Sequence, residues 1–383
     1  MNTPGVLLLV SSDFPPVPGG QSRYLYDLWS CLPGAQVVVL APALPGAPAL
    51  DASLGCRVVR VWLPLGLGLG SKLLKPFFLL WHSWRLCRHL RVRAIHCGQV
   101  FSAGFAGYWC RRLLGVPYLV YVYGADLLEF RDRFLWGPLL RSILGGAQRV
   151  IAISRFTAQA VEAAGVVPER VALVPPAIDL ERFVGLPPAA QERRRRGWEG
   201  SSVILSVGRL VERKGQDMVI RALPAVALRV PGVRYVVGGS GPSRVALEAL
   251  AAELGVADRV EFLGFVPEAE LPGLYAAADL FAMPSRELPA AGDVEGFGIV
   301  FIEANAAGLA VLGGRSGGVA DAVEEGQTGV LVDPDDPAAV AEGLIHLLED
   351  GPWRSQLAAR GQQRARADFD RRSRALRLWE LNG

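Results

Sequence analysis

Residues 201–217 read SSVILSVGRLVERKGQD, and this stretch decides the architecture. Its first ten residues are a short apolar run closed by a glycine, the form of a buried parallel strand that turns toward a helix. The same grammar has already run once. The opening "GVLLLV" reads as a strand, followed by the loop "SSDFPPVPGGQS" and a helix from about Arg23 to Cys31. Apolar runs at "AQVVVLA", "CRVVRVW", "RAIHCG", "PYLVYVYG" and "RVIAIS" then alternate with helix-length segments. After 201–210 the series continues through "VRYVVGGSG", "RVEFLGF", "ADLFAMP", "LAVLGG" and "TGVLVD". Parallel strands need crossover helices, so the chain is read as α/β, with two doubly wound, Rossmann-like parallel sheets.

Length agrees with two cores, since 383 residues exceed one ordinary domain. The 51% hydrophobic and 20% charged residues are the balance of a folded globular chain, which excludes a disordered one. Between the two series lie "VALVPPAIDLERF" and "GLPPAAQERRRRGW", whose prolines and charges mark a linker near 175–200. Arg193–Arg196 is a charge run without aromatic interleaving, read as a solvated helix face or linker, so no nucleic-acid partner is expected. The final segment is helical and polar, with apolar teeth at Leu376, Leu378 and Trp379.

The five cysteines form no C-x-x-C pair and follow no secretory leader, as expected of reduced thiols in a cytoplasmic protein. His82, Cys87, His89, His96 and Cys97 fit no common zinc spacing, and no metal is expected. Met1–Val10 carries no basic start, so no signal peptide is expected, and "LLKPFFLLW" at 73–81 is far too short to span a bilayer. Residues 1–175 hold 17 Lys+Arg and 8 Asp+Glu, or +9, which leaves 23 and 29, or −6, for the remainder. The front half is the one suited to an anionic partner.

Ligands of such folds bind outside the carboxyl ends of the strands, so the loops there carry the chemistry. In "DFPPVPGG", Gly19 and Gly20 stand ahead of a helix, where backbone N–H groups can approach an anion. In "SVGRLVERKGQD", Arg209 and Lys214 sit between strand and helix and can clamp a diphosphate. In "VYVYGADL", Tyr123 ends a strand with Gly124 and Asp126, where its ring serves equally as core or as a hydroxyl donor into the cleft. In "DVEGFGIVFIEANAAG", residues 293–308, Glu295 and Glu303 are eight apart, a little over two helical turns, which would point both in similar directions. Gly296 and Gly298 precede a helix whose first N–H groups can hold a phosphate oxygen, and the carboxylates can accept hydrogen bonds from a polyol. The residues between are so apolar that both acids should be buried and partnered.

The E-x7-E pattern, "GRLVERKG" at 208–215, "DFPPVPGG" at 13–20 and "VPPAIDLERF" at 174–183 together resemble the retaining glycosyltransferases of family 4, which have the two-domain GT-B fold. The resemblance spans nearly the whole chain in order. "SDFPPVPGGQSRYLYDL", "RKGQD" and "MPSRELPAAGDVEGFGIVFIEA" look most like the phosphatidylinositol mannosyltransferase branch, which uses GDP-mannose, with a UDP-sugar as the alternative donor. The resemblance implies that Arg209 and Lys214 bind the donor diphosphate, Glu303 the ribose and Glu295 the hydroxyls of the transferred sugar. It also implies that the backbone of Phe297, Gly298, Ile299 and Val300, with Gly19 and Gly20, completes the phosphate site. Gly264, Phe265 and Val266 would line the base pocket. By the same likeness, residues 1–180 form an acceptor-binding domain, 181–365 a nucleotide-sugar-binding domain, and 366–383 a helix that crosses back onto the first. One departure stands out: many relatives carry histidine where this chain has Tyr123, which donates a hydrogen bond but holds no positive charge.

The reaction expected is transfer of a sugar, mannose or glucose, to an acceptor hydroxyl of a lipid or glycan with retained configuration. Arg209 and Lys214 would take the charge-neutralising role of a divalent cation. "SKLLKPFFLLWHSWRLCRHLRVR" at 71–93 joins Trp81 and Trp84 with Lys72, Lys75, Arg85, Arg88, Arg91 and Arg93. This reads either as an interfacial helix at the inner face of an anionic membrane, or as a helix with its aromatic face on the sheet and arginines in water. The rival readings of the whole chain are a sugar-nucleotide epimerase on the same fold and a non-catalytic sugar-nucleotide-binding protein.

Overall fold

The computed structural model describes residues 5–64, 69–130, 133–134 and 136–382, apart from the side chains of 53, 69, 71 and 72. The candidate membrane residue Lys72 therefore has its side chain outside the described residues. The chain divides into two compact units, Met1–Ala177 with Arg371–Gly383, and Ile178–Asp370.

Unit 1 is built on seven strands: β1 (Val6–Val10), β2 (Val37–Pro42), β3 (Arg57–Val61), β4 (Val92–Cys97), β5 (Tyr118–Val122), β6 (Arg149–Ala152) and β7 (Val171–Leu173). Their order is β3-β2-β1-β4-β5-β6-β7, all parallel. The order reverses between β1 and β4, the switch point where α/β sheets open to ligands. β5 is buried along its whole length, as expected of a central strand covered on both faces. The run "VAL" at 171–173 adds an edge strand where the sequence suggested only linker; three half-exposed residues leave too short an apolar pattern to read.

Unit 2 repeats the plan with β8 (Ser202–Val207), β9 (Val233–Gly238), β10 (Val260–Gly264), β11 (Leu280–Met283), β12 (Ala310–Gly314) and β13 (Gly329–Val332). Their order is β10-β9-β8-β11-β12-β13, again all parallel, with the switch between β8 and β11. Each sheet has its own buried core: Leu8, Ile95, Val120 and Ile143 belong to one, Ile204, Tyr235, Leu280 and Leu312 to the other.

The arginine run lies on a helix, Ala189–Arg196, that is part of unit 2. Arg193 pairs with Asp279 at 2.7 Å and Arg195 with Glu192 at 2.9 Å, so the cations brace the surface of their own unit. The tail forms two helices, Gly351–Asp368 and Arg371–Glu380, and the second packs on the Gly20–Trp29 helix within unit 1. Leu378 is buried there, whereas Leu376 is exposed, because the face turned inward runs through Ala375 and Leu378, three residues apart.

Candidate active site

In unit 2 the chain leaves β8 through Gly208 and Arg209 and makes a short 3₁₀ turn at Glu212–Lys214. It then enters the Gln216–Arg229 helix through Gly215, at φ +71°. Glycine is required at 215: a Cβ there would sit 2.0 Å from the Pro284 carbonyl oxygen. The turn aims Lys214 inward, where its ammonium donates to the Glu295 carboxylate, and both side chains are buried. Burial alone would raise the Glu295 pKa. The positive charges of Lys214 and Arg213, together with hydrogen bonds from Lys214 and the Phe297 N–H, outweigh it and hold the carboxyl below its ordinary value. Arg213 also grips Asp293 at 2.9 Å, two residues ahead of Glu295, and so fastens the loop that presents it. Arg209, by contrast, is exposed, and its side chain has no hydrogen bond or ion pair to a described residue.

Glu303 is the buried partner of a different set. Its carboxylate accepts from the Tyr275 hydroxyl at 3.1 Å and from Arg182 at 3.3 Å. The helical-spacing expectation for the two acids is corrected here. The helix runs Ile299–Ala306 and begins only after Gly298, at φ +90°, so Glu303 is helical while Glu295 lies in the preceding loop. Two glycines in three residues weaken the helix, and a Cβ on Gly298 would meet the Phe301 ring at 2.6 Å. The first helical residues, Ile299 and Val300, follow Phe297 and Gly298 directly, so their N–H groups open the helix without an acidic residue in its first turn.

The other carboxyl-end loops of this sheet close on one another through glycines. A Cβ on Gly239 would fall 1.8 Å from the Gly208 carbonyl oxygen, and the Gly239 N–H donates to the Gly264 carbonyl at 2.7 Å. Gly264 ends β10 at φ +71° and is followed by exposed Phe265 and half-buried Val266. Sequence reasoning did not single out Arg182, Arg213, Asp293, Tyr275 or Gly239. Arg182 was within reach, being the one cationic residue of the quoted "VPPAIDLERF".

In unit 1, Gly19 caps the Gly20–Trp29 helix at φ +137°. Tyr123 follows β5 and is buried, with Tyr24 edge-on at 5.8 Å and its own hydroxyl without a partner among the described residues. Burial, then the neighbouring Tyr24, Tyr121, Asp126 and Asp13, raise its pKa well above the usual value. Asp126 accepts the Tyr123 N–H at 2.9 Å; burial pushes its carboxyl up to about 6 despite backbone N–H groups at Tyr123, Gly124, Asp126 and Leu127. Asp126 Oδ2 also lacks a described partner. His96 contributes to a different network, hydrogen-bonded to Tyr121 at 3.1 Å and Asn382 at 2.8 Å.

Two family models match the chain, "Glycosyltransferase Family 4" over residues 18–182 and "Glycosyl transferases group 1" over 189–364. The GDP-mannose-dependent alpha-(1-6)-phosphatidylinositol monomannoside mannosyltransferase of Mycolicibacterium smegmatis is 35% identical over 98% of this chain and 97% of its own length. A D-inositol 3-phosphate glycosyltransferase from Salinispora tropica is 40% identical over 52% of this chain and 43% of its own. Among solved structures, Anabaena HepE in complex with UDP and glucose superposes with a TM-score of 0.82 at 23% identity, covering 98% of both chains. A sucrose-phosphate synthase from Thermosynechococcus elongatus gives 0.79 at 25% identity, over 99% of this chain and 98% of that one. With both of its sheets matched by family models and a full-length relative above 30% identity, this chain belongs to glycosyltransferase family 4, the retaining glycosyltransferases of GT-B fold.

Proposed function

We propose that this chain transfers mannose from GDP-mannose to a hydroxyl of a phosphatidylinositol-type glycolipid, with retention at the anomeric carbon. The observation that carries the reading is the buried Lys214–Glu295 pair beside the exposed Arg209, in a chain alike end to end with GDP-mannose-dependent mannosyltransferases. Unit 2 takes the nucleotide sugar and unit 1 the acceptor. Arg209 and Lys214 stabilise the diphosphate as negative charge develops on the leaving oxygen. Glu295, kept ionised by its cations, accepts hydrogen bonds from the sugar hydroxyls, and Glu303 does so from the ribose. The N–H groups of Phe297–Val300 complete the phosphate site of unit 2, where Gly264, Phe265 and Val266 receive the base, and the N–H groups of Gly19 and Gly20 are the anion-binding groups that unit 1 offers. Tyr123 offers its unpartnered hydroxyl to the donor sugar, in the place where many relatives carry histidine.

No side chain is assigned as nucleophile. The acceptor oxygen forms its bond to the anomeric carbon on the face from which the diphosphate departs, and the acceptor proton passes to the leaving phosphate oxygen. With Arg209 and Lys214 neutralising that phosphate, the step as written uses no divalent cation.

For a lipid acceptor the protein must meet a bilayer, and we place that contact on the Leu69–His89 helix. Leu73, Leu74, Phe77 and Trp81 are exposed, with Leu73, Phe77 and Trp81 four residues apart along one side, Phe77 and Trp81 by 58% and 57%. Trp109 and Leu113 are exposed on the neighbouring Ser102–Leu114 helix, and Arg88 and Arg112 are exposed on the same pair. Apolar residues beside unpaired cations suit the interface of an anionic membrane. No helix among the described residues is long and apolar enough to cross one.

A thermal-shift comparison of GDP- and UDP-sugars, followed by an assay of mannose transfer to phosphatidylinositol mannosides, tests the reading. Selective stabilisation by GDP-mannose and an α-linked product are expected. Donor binding without transfer or slow hydrolysis would instead identify a sugar-nucleotide-binding protein, and release of free nucleotide with epimerised sugar an epimerase.

A further inference from the structure

The Leu69–His89 helix has a second face that the transfer reaction leaves unused. His82, Arg85, Leu86 and His89 recur at intervals of three, one and three, so they lie along one side of the helix. That side borders Arg57 and Val59 of β3, the strand at the edge of the unit 1 sheet. Together they line an open cavity of about 630 Å³ in which no carboxylate takes part. Arg57, His82, Arg85 and His89 have no hydrogen bond or ion pair to any described residue. Both arginines are exposed. Two guanidiniums and two imidazoles line this cavity with no carboxylate among its described lining residues, so the like charges of Arg57 and Arg85 stay uncompensated until an anion enters.

We propose that this cavity is a binding site for a phosphate ester, separate from the site of transfer. Guanidinium forks at two corners match phosphate oxygens, and imidazole N–H groups supply further donors. Val59 and Leu86 form apolar walls that suit the carbon portion of an ester. Burial and the charge of Arg85 lower the His82 pKa, the state an incoming anion would reverse. The location is equally telling. Arg57 is the first residue of β3, so in a parallel sheet it marks the amino edge, whereas the loops at Ser11–Gly20 and Tyr123–Asp126 follow the carboxyl ends of β1 and β5. This inference does not depend on the identity of the transferred sugar. The ester can come from a lipid headgroup, which the exposed Trp81 on the same helix would bring near, or from a soluble metabolite.

The test uses the full chain with two probes: glycerol 3-phosphate in solution, and vesicles of phosphatidylcholine with or without phosphatidylglycerol. Binding is read by calorimetry and co-sedimentation, with the His82 and His89 imidazole resonances reporting occupancy. Arg57→Ala, which lies outside the proposed membrane helix, should weaken binding about fivefold and R57A/R85A about thirtyfold, the effect of one and two cations near an anionic surface. Melting temperatures of both variants should hold or rise, because neither arginine has a partner to lose. Loss of glycerol 3-phosphate binding supports the site with a soluble ester, and loss of phosphatidylglycerol-dependent binding alone supports it with a lipid headgroup. Wild-type binding by the double variant, or no binding of either probe by the wild type, would overturn it.

Discussion

The carboxyl ends of the two sheets solve the burial of charge in opposite ways. In unit 2 each buried acid has a cation: Lys214 and Arg213 hold Glu295 below its ordinary pKa, and Arg182 reaches Glu303. In unit 1, Asp126 is half-buried against backbone N–H groups with no cation partner among the described residues, and desolvation lifts its carboxyl to about 6, next to a Tyr123 hydroxyl that has no described partner. Burial disfavours the charged form in both places, so the sign of the shift is decided by whether a counter-charge stands close by. An ion pair assembled before the ligand arrives is preorganised for phosphate chemistry, whereas the Tyr123 hydroxyl and Asp126 Oδ2 have no described hydrogen-bond partner and can accept one from a ligand.

The strongest way to break this contrast is Lys214→Ala. Removing the ammonium should cost about 3 to 4 kcal/mol in transition-state stabilisation, a hundred- to thousandfold in kcat. It should also lower stability by about 3 kcal/mol, because Glu295 is left buried and unpaired. K214M/E295L should recover the melting temperature but not the turnover. If K214A turned over normally, Lys214 would have no role at the diphosphate.

Asp126→Asn sharpens the other side. A carboxyl whose folded pKa is raised from 3.8 to about 6 destabilises the native state above pH 6, and the penalty fades as pH falls toward 3.8. Wild type should therefore gain about 2 kcal/mol relative to D126N between pH 7 and pH 4. Glu295 works the other way: its contribution is complete above its unfolded value, near 4.5, and is lost as pH falls through its lower folded value. Taking the difference between denaturation curves of wild type and variant also removes His96, which is held down to about 4 by burial and opposes Asp126 over the same range. A difference that stays flat with pH would mean that Asp126 is not desolvated.

Smaller effects are expected at Glu303 and Tyr123. Glu303→Gln weakens acceptance from ribose hydroxyls and from Tyr275, and should raise KM for the donor about tenfold with little change in kcat. An unchanged KM would move the ribose contact elsewhere. Tyr123→Phe removes a hydroxyl that bonds to nothing described, so stability should change by less than about 0.5 kcal/mol while donor turnover falls. If stability dropped by much more, the hydroxyl would have a structural partner.

Much of this was legible in the chain itself. Apolar runs alternating with helix-length segments marked twelve of the thirteen strands among the described residues, because a fully covered parallel strand is locally conspicuous. β7 escaped as an edge strand of three half-exposed residues, and Leu376 was taken for an inward tooth that the helix turns to solvent. At the site, the residue types were readable but the helical link between Glu295 and Glu303 was not, since Gly298 starts the helix only after Glu295. Gly239 and Gly241 sat in plain view as "GGSG", yet their need for close backbone approach appears only where they meet Gly208 and Leu210.

The sequence by itself determined two parallel sheets, the loops at their carboxyl ends and the chemistry those loops could offer, since strand, turn and helix signals act over a few neighbouring residues. Only the tertiary structure decided which cation meets which acid: Lys214 lies 81 residues from Glu295, and Arg182 lies 121 from Glu303. No local period reaches across such distances. Lys214 and Glu295 meet because β8 and β11 lie side by side and their following loops converge, and Arg182 and Glu303 meet because the Leu180–Phe183 turn packs near the Ile299–Ala306 helix. In both places burial makes each charge depend on the other.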